Sequence, residues 1–76
     1  MNIVIKAPLM ADKIKELLDS NTFDGARFTF VEKKGMEMTF SVHADNVEAM
    51  DAAAIAKNAI KATDYGKGIY FSVVQK

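Results

Sequence analysis

The chain contains no cysteine, one histidine and one proline, and its charges cancel, with ten Lys and Arg against ten Asp and Glu. Each shortage excludes a class of function. Without cysteine there is no disulfide framework, no thiol nucleophile and no cysteine-ligated zinc or iron–sulfur site. A single histidine cannot build a His-rich metal centre, and no metal or cofactor is expected. A net charge of zero argues against a general nucleic-acid binder, which carries a basic excess. Long apolar runs are also missing. Ile3–Ile5 is too short for a signal-peptide core. The alanine-rich stretch from Ala49 to Ala62 is interrupted by Asp51, Lys57, Asn58 and Lys61. No segment reaches the roughly 18 apolar residues of a membrane span. The expectation is a soluble, cytoplasmic protein with no membrane partner.

What remains is an ordinary globular composition, 50% hydrophobic and 26% charged. Residues 1–76 are expected to form a single domain. A chain this short buries only about 60% of its unfolded surface, so the fold has to be regular.

Six segments stand out. Residues 2–6 are β-branched and apolar and read as a strand. Pro8 suits the first turn of a helix, where its missing N–H costs nothing. Residues 8–19 carry Met10, Ile14, Leu17 and Leu18 on one helical face. Ser20-Asn21-Thr22 and Asp24-Gly25 break that pattern. Residues 26–32 read as a strand with Phe28 and Phe30 on one side and Arg27, Thr29 and Val31 on the other. Lys33-Lys34-Gly35 makes a turn into residues 36–43, where Met36, Met38, Phe40 and Val42 alternate strictly with polar neighbours. Asp45 and Glu48 form a capping-box pattern for a helix from about Asn46 to Asp64. Gly66 is placed as its left-handed cap. Residues 69–74 form the last strand, with Ile69, Phe71 and Val73 facing inward.

The order β-α-β-β-α-β resembles the ferredoxin-like superfold, an α+β two-layer sandwich. It implies a four-stranded antiparallel sheet in the order 4-1-3-2, with two helices on one face. That arrangement hosts many functions, so function has to come from a site.

Chemistry-bearing residues are sparse. His43 lies on the wet side of its strand beside Ser41, but no nucleophile elbow accompanies either serine or histidine. An enzyme built on His43 is the weakest reading, and the chain is taken as non-enzymatic. Asp12 with Glu16, and Glu48 with Asp51, read as solvated helix surface. Gly66-Lys67-Gly68 follows a helix, whereas phosphate-loop motifs follow a strand.

Two binding readings remain. The open sheet face carries Val4, Thr29, Val31, Thr39, Tyr70 and Val74, a mixed surface suited to docking a protein or a second copy of the chain. Its central positions have no aromatic to stack a base, so nucleic acid is an unlikely partner there. Alternatively, the topology gathers Lys6, Lys33, Lys34 and Lys67 at one end, where a small anionic ligand or a phosphate could bind.

Overall fold

The computed structural model describes residues 1–45 and 51–75. Among these, five strands and two helices follow in the order β1 (Asn2–Lys6), α1 (Ala11–Leu18), β2 (Asn21–Phe23), β3 (Ala26–Lys34), β4 (Glu37–His43), α2 (Ala52–Lys61) and β5 (Ser72–Gln75). One 3-10 turn, Tyr65–Lys67, sits between α2 and β5. The strands form a single antiparallel sheet in the order β2-β3-β4-β1-β5, curled into a half-barrel.

This corrects the expected four-stranded ferredoxin-like sheet. The added strand, β2, lines the outer edge of β3. Its cause is Asp24-Gly25, which does more than end a helix. These residues hold φ of 50° and 82°. Positive φ at both central positions marks a type I′ turn, whose twist suits a two-residue hairpin. It brings Phe23 opposite Ala26 and Asn21 opposite Phe28. Beyond β2, the Asp19 carboxylate accepts the Phe30 N–H at 3.0 Å and so continues to cover the edge of β3.

The curl has a local source as well. The β3–β4 register shifts between Phe30 and Glu32, which leaves Val31 as an extra residue. A bulge bends its strand and increases its twist. It also exchanges faces. Phe30 lies opposite the buried Phe40, but Glu32 lies opposite Thr39 on the other side. The β3–β4 turn is Gly35-Met36, with Gly35 at φ 59°. Met36 therefore sits in the turn, half exposed, and not in the strand interior.

Both helices differ from their expected limits. α1 begins at Ala11, because Met10 adopts a left-handed φ of 62° ahead of it. Pro8 precedes the helix, and Met10 is 45% exposed. At the other end, Asn21 Nδ2 donates to the Leu17 carbonyl at 2.6 Å and so satisfies part of the helix terminus. For α2, the expected start near Asn46 and the capping partner Glu48 lie outside the described residues. The described helix is capped by Asp51, whose Oδ1 accepts the Ala54 N–H at 3.1 Å. It ends at Lys61 and not at Asp64.

One hydrophobic cluster joins Ile14 and Leu18 of α1 with Ala52, Ala56 and Ile60 of α2. It also takes in Ile3, Ile5, Phe28, Met38, Phe40 and Val42 of the sheet. Those strand positions share one face, so both helices cover the same side. Ala52 and Ala56 let α2 approach closely. Leu17, Phe30, Ile55, Ile69, Phe71 and Val73, expected inside, pack half-buried around this cluster. β5 is shorter than expected, so Ile69, Tyr70 and Phe71 approach it as a non-strand segment.

Candidate functional site

The open face of the sheet divides the residues assigned to it. Val4 lies between Thr39 on β4 and Val74 on β5 and is only 6% exposed. Thr29 lies opposite Ser41. Val31 and Val74 are each a little over half exposed. Tyr70, however, stands outside the strands at 90% exposure. Much of the same face is polar, since Arg27 lies opposite His43, and Lys6 and Lys34 both lie opposite Glu37.

Ser41 and His43 do meet, with Oγ and Nε2 3.1 Å apart. β4 is paired with β3 on one side and β1 on the other. The ladder therefore uses its N–H groups, and none on this strand is left to hold an oxyanion. Among the described residues, no three His, Cys, Asp or Glu side chains converge on a common point.

The four lysines of the expected anion site have different surroundings. Lys34 shares a recess with Glu32 and Glu37, which offset its charge. Lys33 lies opposite Met38 in the hairpin. Lys6 lines a small, largely apolar hollow with Pro8 and Met36. Lys67 alone reaches a basic groove.

That groove has a volume of about 550 Å³ and is lined by Lys57, Lys61, Gly66, Lys67, Ile69, Tyr70 and Phe71. Its construction follows from the sequence around α2. Lys57 and Lys61 stand four residues apart and so fall on the same helical face. The chain then turns back. Thr63 Oγ1 donates to the Ile60 carbonyl at 2.6 Å and accepts the Gly66 N–H at 3.0 Å. This tight loop brings Lys67 beside the two helical lysines. Tyr65 anchors it to α1, its hydroxyl donating to the Lys13 carbonyl at 3.2 Å.

Gly66 is needed here for space and not for a left-handed conformation, as the sequence suggested. A Cβ at this position would lie 1.7 Å from the Ile60 carbonyl oxygen and 2.7 Å from Thr63 Oγ1. The loop can therefore press against the end of α2 only with glycine.

Among the described residues, three lysines and no carboxylate line the groove. The C-terminal end of α2 contributes roughly half an elementary negative charge, which three ammonium groups outweigh. Ile69, Tyr70 and Phe71 supply an apolar wall. The signal for Lys57 and Lys61 was present as an i,i+4 pair on the polar side of α2. Their partnership with Lys67 and Tyr70 depends on the loop geometry.

No helix among the described residues is long and apolar enough to cross a membrane. Comparison of the chain with protein-family models, curated proteins and solved structures finds no match.

Proposed function

We propose that this protein binds a small anionic ligand in the groove formed by Lys57, Lys61 and Lys67. The observation that carries this reading is the convergence of three lysines on one concave surface with no acidic residue lining it among the described residues. Its volume of about 550 Å³ falls inside the roughly 300–1,000 Å³ range of small-molecule pockets. The exposed Tyr70 ring and the half-buried Phe71 beside it add a surface for the uncharged part of a ligand. The cytoplasm is the compartment of this reading, in keeping with a chain that uses no cysteine.

The test is titration of the full chain with inorganic phosphate at low salt, followed by amide chemical shifts. Shifts should concentrate at Lys57, Lys61 and residues 66–71. The double variant Lys57→Gln, Lys61→Gln keeps most of each side chain and removes both charges. Each charge is worth about 1 kcal/mol at contact in water, so the pair should weaken binding roughly tenfold or more. Binding should also fall as salt rises, because the screening length is about 10 Å at 0.1 M. Unchanged phosphate binding in the double variant would refute the assignment.

Self-association through the open face is a second reading, favoured by the exposed Val31 and Val74. Light scattering should then give a mass near twice 8.4 kDa, and Val74→Glu should return it to the monomer. A monomer at every concentration would remove this reading.

A further inference from the structure

The basic groove does not end at the Tyr70 ring. On the other side of Tyr70 and Phe71 lies a second hollow of about 280 Å³, lined by Lys6, Pro8, Met36, Tyr70, Phe71 and Ser72. The two share Tyr70 and Phe71. One side of this ridge is therefore cationic and the other is apolar.

The apolar side is built from parts held in place by the backbone. The Ala7 N–H donates to the Met36 carbonyl at 3.0 Å, which ties the end of β1 to the β3–β4 turn. Pro8 follows at once, with its φ restricted by its own ring. Met36 projects from a two-residue turn at 48% exposure, and Tyr70 is 90% exposed. A methionine and an aromatic ring left in water form an adaptable apolar surface. Among the described residues, Lys6 is the one charged residue lining this hollow. Its neighbours across the ladder are Glu37 and Ser72, so its charge is locally opposed, while the three lysines across the ridge have no such acid lining their groove among the described residues.

Building on the anion-binding reading, we propose that the ligand is a small amphiphilic anion. Its acidic head meets Lys57, Lys61 and Lys67, and its aryl or alkyl part crosses Tyr70 and Phe71 to lie against Pro8 and Met36. Charge complementarity fixes which end goes where. The concave shape and the modest volume of both hollows favour a soluble small molecule over a membrane surface, which needs an extended convex apolar face.

The experiment compares 1-naphthyl phosphate with inorganic phosphate on the full chain, by titration calorimetry and amide shifts. The naphthyl ester should bind roughly tenfold tighter or more, as expected for covering one aryl face with apolar side chains. Its additional shifts should fall at Pro8's neighbours, Met36 and Ser72. Met36→Ser changes a half-exposed turn residue, so the fold should survive. It should remove most of the naphthyl preference and leave inorganic phosphate binding unchanged. Tyr70→Ser, whose ring lines both hollows, should likewise lower the ratio of naphthyl to inorganic phosphate affinity.

Equal affinity for the two probes in the unaltered chain would overturn this inference and leave the anion groove standing. A preference that persists in both Met36→Ser and Tyr70→Ser would do the same. If Lys57→Gln with Lys61→Gln changes neither probe, the anion-binding reading itself fails, and this inference with it. Binding to phosphatidylglycerol vesicles without binding to soluble 1-naphthyl phosphate would overturn the small-molecule proposal in favour of a lipid surface.

Discussion

Gly66→Ala should destabilise the protein by about 3 kcal/mol or more, at the upper end of the cost of overpacking. The reason lies in what the new methyl group meets. It would arrive 1.7 Å from the Ile60 carbonyl oxygen and 2.6 Å from the carbonyl carbon. Those are backbone atoms of the last turn of α2, with no rotamer to escape into. Relief requires moving the 65–67 turn away from the helix, and that breaks the Thr63 bridge between Ile60 and Gly66. For a domain of this size the thermal midpoint should fall by roughly 12–24 °C. Phosphate binding should fall with it at temperatures where the chain is still folded, because the same displacement carries Lys67 away from Lys57 and Lys61. Gly68→Ala is the control. No heavy atom lies within 4 Å of its added Cβ, so its melting curve should stay within a few degrees of the parent. Circular dichroism melts of the two variants decide the matter. If Gly66→Ala melts like Gly68→Ala, the close approach of loop and helix is wrong.

Phe40→Ala should cost about as much or more, by a different route. Phe40 is fully buried on β4, the middle strand of the five. Its ring meets Phe30 edge to face, with centroids 5.7 Å apart and planes at 74°. Truncation removes the transfer energy of the ring and leaves a cavity in a close-packed layer, roughly 3–5 kcal/mol for a buried phenylalanine. A domain of this length has a total stability of about 4–11 kcal/mol, so the variant should be close to unfolded at 37 °C. Phe30→Ala should cost less. Phe30 is only half-buried, and its outer side is covered by the Lys15 ammonium 4.3 Å from the ring centroid, not by core. Urea titration of both variants provides the measurement. Equal losses at the two positions would show that the interior does not centre on β4.

The parts of the fold legible in the sequence are those with a long regular period. Glu37–His43 alternates without interruption, and the structure buries Met38, Phe40 and Val42 while leaving Glu37 and His43 exposed. Ile14 and Leu18 mark the buried side of α1 four residues apart. Short elements carried no such period. β2 has three residues and an exposed, polar start, and three residues can be a strand only beside a partner. Its one local sign was Asp24-Gly25, a hairpin dipeptide read there as a helix terminator. The bulge at Val31 was invisible for a related reason. Its effect is to switch faces midway along β3, and a period of two cannot express such a switch.

The candidate site shows the same division. Lysines at 57 and 61 and an aromatic pair at 70 and 71 can be read directly from the chain. Lys6, Lys33, Lys34 and Lys67 are read from the chain as flanking three connections at one end of the sheet, and the structure does tie the end of β1 to the β3–β4 turn, the Ala7 N–H donating to the Met36 carbonyl. Curling and the register of the β3–β4 hairpin place Lys34 among Glu32 and Glu37, where its charge is offset.

Residue chemistry and local periodicity were enough to specify an α+β chain without cysteine chemistry, the inward faces of β4 and α1, and a pool of candidate cations. They act over a few residues, and a sequence records them without reference to anything distant. Which strand became an edge, where β3 changed face, why position 66 has room for glycine only, and which lysines share a groove were settled by contacts between segments far apart in the chain. Those contacts depend on how closely two backbones approach, and that distance exists only once the helices have packed on the sheet.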